Sequence, residues 1–320
     1  MKSPSWLARF PVGLFGIPVG LFALGGAWRR TQAFGWSWAQ PVADALAWTA
    51  LGVLAVLLLL YLAKALLHPP AIASEFTHPL AGSLMALLPV SLLLCIVYFG
   101  STHHNGWLLL ALLALTLQGV LAIRIGSLIS RAALPAVAVT PALYVPTVAG
   151  GFVGALALNT LGYPGWAALL FGMGLAAWAL LEARVLNRLF EGAMPEALRP
   201  TIGLELAPAT VGTLVVASIW PQFPADVLMI GLGFVAGPFV AVMVRYKWWS
   251  HVPFSIGFWS FSFPAAALAA GVVEAVRRGG WPPMVGGIAL GLASAVIAFL
   301  VWRSLMLLLQ GKLIPVPPPQ

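Results

Sequence analysis

Glu205 is the residue of this 320-residue chain best placed to do chemistry, since it lies three residues before Pro208 and about one turn inside an apolar run. An ionisable group within a membrane segment is costly to keep there and is by default a functional group. A carboxylate at this point could carry a proton and couple the movement of a solute to it. The competing reading is an ion pair at the helix end with a loop residue such as Arg199, and it takes precedence because Glu205 is only a few residues from that basic loop. Glu182, just before Arg184 and Arg188, reads as an interfacial salt-bridge partner rather than a relay. The pair His103-His104 has no adjacent Cys, Asp or Glu, so a polar turn is favoured over a metal site. Cys95 is solitary, which rules out an intrachain disulfide. No phosphate-binding loop, Ser/His/Asp set or paired carboxylates occur, so neither an enzyme nor a bound cofactor is expected.

A second set of residues is notable for spacing. Pro18, Pro89, Pro146, Pro208 and Pro264 are separated by 71, 57, 62 and 56 residues, and each falls near the middle of an odd-numbered apolar stretch. A proline in a helix interior removes a backbone hydrogen bond and costs about 3 kcal/mol or more. In lipid such breaks are tolerated where the backbone is buried in protein or lines a water-filled cavity. Five broken helices therefore suggest one pore. Glycine and proline are common in transmembrane helices, so any one of these positions alone would more simply be packing. Repetition does not separate a channel from a carrier, which also places broken helices around a midplane site.

The elements that must position these residues follow from composition. The chain is 61% hydrophobic and 8% charged, with a mean hydropathy of +1.00, against about 25% charged residues in soluble domains. It is an integral membrane protein. Ten stretches, at 11–28, 42–64, 80–99, 107–123, 142–161, 166–181, 202–220, 227–244, 253–273 and 284–301, approach the ~20 residues that a helix needs to cross the hydrocarbon core. A signal peptide ending near Ala23-Leu24-Gly25 is an alternative for the first, but Pro18 and Arg29-Arg30 fit a retained helix better. The two ends and the loops after even stretches hold 12 of the 16 Lys and Arg residues; Arg29, Arg30, Arg277 and Arg278 lie on the other side. The positive-inside rule then places both termini in the cytoplasm. The net charge of +8 reads as topology first and as a field favouring anions at the inner mouth second. Basic residues scattered through short loops do not make a nucleic-acid surface.

Even and odd stretches also differ. Residues 51–60 and 108–115 are leucine-rich and read as lipid-facing, whereas odd stretches carry Gly13, Gly16, Gly20, Gly150, Gly151, Gly154, Gly203 and Gly212. Small residues let helices approach closely inside a bundle. The expected fold is an all-α integral membrane protein with residues 1–320 as a single ten-helix domain of five helical hairpins. Proline-kinked odd helices lie inside, residues 1–10 form a cytoplasmic N-terminus, and 311–320 form a Pro-rich cytoplasmic tail. Pro238, in the eighth stretch, breaks the pattern; Pro41, Pro164, Pro282 and Pro283 sit at starts of even stretches.

Several motifs, taken in order, carry a family resemblance. They are Pro11-Val-Gly-Leu-Phe-Gly-Ile-Pro-Val-Gly20 with Ala27-Trp28, His78-Pro79 leading to Ala86-Leu-Leu-Pro89, and Tyr144-Val-Pro146. Phe171-Gly172 with Ala177-Trp178 and Glu182, Leu206-Ala-Pro208, and Phe258-Trp-Ser-Phe-Ser-Phe263 complete the set. Together they span nearly the whole chain, which resembles the TehA branch of the tellurite-resistance and dicarboxylate-transporter family. That family includes the slow-type anion channels of plant guard cells. The resemblance implies a homotrimer in the bacterial inner membrane, with a central pore in each ten-helix subunit. It also implies a pore-blocking phenylalanine on the ninth helix, which matches Phe263. Gly16 is then a candidate neighbour that leaves room for the ring, and Pro264 stands where some relatives have glycine. Without the resemblance Phe263 would read as packing among Phe254, Phe258 and Phe261. The function implied is conduction of small monovalent anions through a pore shaped by Gly16 and the five prolines. The alternative is a proton-coupled carrier or exporter of sulfite, tellurite or a C4-dicarboxylate, with Glu205 as its proton or ion site.

Overall fold

A computed structural model describes residues 5–190, 192 and 194–314; the expectations for Lys2 and for the Pro315–Pro319 tail lie outside these. Ten helical spans cover α1 Val12–Phe34, α2 Ala39–Leu67, α3 Pro79–Phe99, α4 Asn105–Ser130, α5 Pro141–Thr160, α6 Pro164–Arg188, α7 Glu196–Ile219, α8 Ala225–Val244, α9 Ile256–Gly279 and α10 Pro283–Leu309. No strand occurs among the described residues. Several spans outrun the apolar stretches, because backbone hydrogen bonds continue past the first charged residue and long basic side chains can keep their heads in water. Lys64, expected at a loop edge, lies inside α2 and is fully buried. Its ammonium donates to Glu75 at 2.6 Å and to the Phe10 carbonyl at 2.7 Å. Glu75 belongs to a short helix, Pro69–Thr77, that follows α2 and was not expected.

The two classes of span differ as their compositions imply. Over the most apolar 18 residues of each odd span, between 56% and 89% are buried inside the protein, against 17% to 28% for each even span. Side chains such as Leu59, Leu109, Leu180 and Val244 on even spans are exposed. So much apolar surface is tolerable only in lipid, since soluble monomers rarely expose patches beyond a few hundred Å². Each odd span packs on the even span after it, and the odd spans pack in a closed order: α1 on α3, α3 on α5, α5 on α7, α7 on α9 and α9 on α1. Glycine makes the tightest of these contacts. A Cβ on Gly151 of α5 would lie 2.7 Å from both Cα of Gly174 and the Leu170 carbonyl oxygen of α6.

The prolines take a different role from the one expected. Each odd span opens with 3₁₀, π or broken helix and then becomes regular α-helix, at Gly16, Leu87, Gly150, Ala207 and Ser262. Pro18, Pro89, Pro208 and Pro264 each fall within the first three residues of the regular segment. Pro146 lies in the π turn before it. The first N–H groups of an α-helix have no intrahelical acceptor, so most of the ~3 kcal/mol interior penalty is avoided. Around Pro146 the wide turn is held from outside, because the buried Gln118 amide of α4 donates to the carbonyls of Val145 (2.6 Å) and Pro146 (3.1 Å). Pro238, by contrast, sits within the continuous helix α8, on the lipid side.

Candidate functional site

Two cavities lie one above the other inside the ring of odd spans. The first, about 90 Å³, is near the N-terminal ends of these spans and receives residues from all five: Gly16 and Val19 of α1, Leu87 and Val90 of α3, Tyr144, Val148 and Phe152 of α5, Thr201, Pro208 and Val211 of α7, and Trp259, Ser260 and Phe263 of α9. The second, about 40 Å³, is nearer their C-terminal ends and is lined by Phe22 and Arg30 of α1, Leu94 and Tyr98 of α3, Leu156 of α5, Leu214 of α7, and Phe263 and Ala267 of α9. Phe263 is the one described residue common to both linings. Phe263 therefore stands where the two cavities meet.

Local structure fixes that position. Phe263 is the second residue of the α-helical part of α9, directly after the 3₁₀ segment Ile256–Phe261. The Ser262 hydroxyl donates to the Trp259 carbonyl at 2.7 Å, and the Trp259 indole donates to Ser304 of α10 at 2.8 Å. Pro264 then presets the backbone of the first helical turn. The residue is 8% exposed and, though part of the hydrophobic core, borders a cavity on each side.

The first cavity is apolar apart from three hydroxyls, whose protons are already committed. Tyr144 donates to Glu182 at 2.6 Å, Thr201 to the Leu198 carbonyl at 2.7 Å and Ser260 to the Pro200 carbonyl at 2.5 Å. An anion there would meet no charged side chain and no free hydroxyl proton from this set. Such a wall offers an anion only weak contacts.

Gly16, Pro208 and Phe263 therefore come together at the first cavity, whereas Pro18, Pro89, Pro146 and Pro264 are buried behind the walls. Gly16 turns its open side to Cβ of Trp259, at 3.3 Å for an added Cβ, and to Leu87. Phe263 is not its neighbour there. Glu205 lines neither cavity: its carboxylate accepts from Arg245, just past the end of α8, at 3.1 Å, and its other oxygen is buried without a hydrogen-bond partner. The expected partner Arg199 instead reaches Glu196 at 4.0 Å and lies over Trp248. Glu182 accepts from Tyr144 and, at 2.9 Å, from the Trp178 indole, so its role is to hold α5 to its own helix.

Sequence reasoning missed Phe152, Gln118 and Arg30 as parts of the site. Phe152 pairs with Phe171 at 5.2 Å and lines the first cavity, but nothing in its neighbourhood separates it from other core aromatics. Gln118, an amide in the middle of the leucine-rich α4, was a usable signal. Arg30 was counted toward topology alone.

Comparison with known proteins gives the family of the chain. Residues 9–309 match the SLAC1 family model, described as voltage-dependent anion channel. The chain is 30% identical over 267 residues to the tellurite resistance protein TehA homolog of Haemophilus influenzae, covering 81% of this chain and 79% of that protein. It is 24% identical over 322 residues to the guard cell S-type anion channel SLAC1 of Arabidopsis thaliana, covering 96% of this chain and 57% of that one.

Proposed function

This chain belongs to the SLAC1 family of voltage-dependent anion channels, and from that premise we propose that the space within the odd spans is a conduction path for small monovalent anions, closed by Phe263. The observation that carries this reading is that one described residue, Phe263, borders both cavities. A hydrophobic constriction closes a path by excluding water, and ions must bind weakly enough to leave. The apolar first cavity suits both requirements. The protein is a multi-pass membrane protein, and we assign it to the bacterial inner membrane with both termini cytoplasmic, so that the first cavity opens inward. Transport rather than catalysis is its activity, and the assembly we assign is a homotrimer with one path per subunit.

Recording from purified protein in planar bilayers tests the gate. Phe263→Ala joins the cavities and should raise anion conductance at least about tenfold, equivalent to removing about 1.4 kcal/mol of barrier. Conductance equal to wild type would sink the assignment. A flux panel of chloride, nitrate, sulfite, tellurite and malate then identifies the permeant class.

A second reading is a proton-coupled carrier using Glu205, which is favoured by the buried oxygen of Glu205 that lacks a hydrogen-bond partner. It is the weaker one, because the carboxylate is paired with Arg245 and lines neither cavity. Uptake that requires a pH gradient and is lost in Glu205→Gln would reverse that order.

A further inference from the structure

Arg30 is the one charged side chain lining either axial cavity among the described residues. It sits on the far side of Phe263, near the end of α1, with 27% of its side chain exposed. Two contacts hold it, and both are long: Nη2 donates to Ser218 Oγ of α7 at 3.3 Å, and Nη1 lies 3.6 Å from Glu274 Oε1 of α9. A guanidinium carries five N–H donors, so these contacts leave capacity for a ligand.

Glu274 cannot neutralise its surroundings. Its other oxygen is taken by Arg277 at 2.8 Å and approached by Arg278 at 3.7 Å. One carboxylate thus serves three guanidinium groups, an excess of two positive charges at this end of the path. Arg278 is further tied to the carbonyls of Ala217 and Phe223 at 2.6 and 2.9 Å, and Arg29 to those of Tyr98 and Val97 at 2.7 and 3.1 Å. Of the four, Arg30 is the one that borders the cavity. Low-dielectric walls around charge of one sign focus its field on a mobile counter-ion.

We infer that Arg30 forms a binding site for one small monovalent anion in the second cavity, directly beyond Phe263, and that this site selects anions over cations. The selectivity half rests on the ring of odd spans being the conduction path; the binding half does not. The cavity volume, about 40 Å³, compares with ~10–15 Å³ for one water. A halide or nitrate with a water or two fits, and a C4-dicarboxylate does not.

Bromide tests the binding half without any variant. Crystals of the wild-type protein grown in bromide should give an anomalous peak beside the Arg30 guanidinium, kept in Arg30→Lys and absent in Arg30→Gln; no peak in the wild type overturns the site. Selectivity is read in a Phe263→Ala background from reversal potentials across a potassium chloride gradient. Adding Arg30→Gln should lower the anion-to-cation permeability ratio about tenfold at low salt. The gap should close near 1 M, where screening acts within ~3 Å, and Arg30→Lys should keep the ratio. A purely structural Arg30 would leave the ratio and its salt dependence unchanged, which overturns the selectivity half. If Phe263→Ala does not conduct, the conduction reading fails and takes the selectivity half with it, while the bromide peak still decides the binding site.

Discussion

The two cavities share Phe263 in their linings and differ in almost every other respect. The first is the larger, with aliphatic and aromatic walls and hydroxyl protons committed to Glu182 and to backbone carbonyls; the second is less than half its volume and carries a guanidinium. Their ionic surroundings differ in the same sense. Beside the first, Glu205 is paired one-to-one with Arg245, whereas beside the second Glu274 is shared among Arg30, Arg277 and Arg278. On the proposed reading, one end of the path offers weak contact and the other attraction. A conduction path needs both, because an anion must be drawn in and then released.

The ionic contrast gives the largest expected difference in stability. Arg245→Ala leaves Glu205 buried without its partner and should cost about 3–5 kcal/mol, seen as a large fall in the thermal midpoint of detergent-solubilised protein. Arg30→Gln leaves Glu274 with two arginines and should change stability by no more than about 1 kcal/mol. Equal losses would mean that Arg30 is a structural tie like Arg245, and the proposed asymmetry between the two ends would fail.

Phe152 and Phe263 sharpen the same comparison through packing. Phe152 is 1% exposed and packs on Phe171, with Gly174 and Gly212 opposite its edges. Phe152→Ala should cost about 3–5 kcal/mol. Phe263→Ala should cost distinctly less, because space already lies on two sides of the ring, while producing the larger gain in conductance. Melting curves and bilayer currents on the same two variants check both. If Phe263 proves the more costly to truncate, it is a core residue and not a partition.

Much of this fold is legible in the sequence because lipid constrains composition so strongly. Runs of leucine on even spans and glycine on odd spans separate outside from inside, and the arginines at 277 and 278 mark a helix end. The pairing of charges is not legible. Arg199 is closer to Glu205 in sequence, yet Arg245, at the end of the neighbouring α8, is closer in space. The prolines could be counted but not placed: a repeated proline looks like a break in a helix until the preceding 3₁₀ or π turn shows that regular helix begins there. Arg30 was visible as a charge, but its direction into the cavity depends on how α1 meets α7 and α9.

Gln118 supports the wall of the first cavity from the lipid side. Gln118→Leu keeps the volume while leaving the Val145 and Pro146 carbonyls without their donor. The cost should be about 1–3 kcal/mol, together with faster hydrogen exchange across residues 145–149. Unchanged exchange there would show that the π turn is held by its own backbone.

Gly16→Ala has the smallest expected effect and decides how the first cavity is walled. An added Cβ would meet Cβ of Trp259 at 3.3 Å, so the neighbour must give slightly. Against that, alanine is favoured over glycine in helix by up to about 1 kcal/mol. Stability should therefore stay within about 1 kcal/mol of wild type. Conductance separates two roles for this glycine. If it only lets α1 approach Trp259, the substitution should lower current by the same small factor whether residue 263 is Phe or Ala. If it instead leaves room for the Phe263 ring to swing aside, the loss should be large with Phe263 and vanish in Phe263→Ala. The geometry, with the open side of Gly16 turned to Trp259, favours the first outcome.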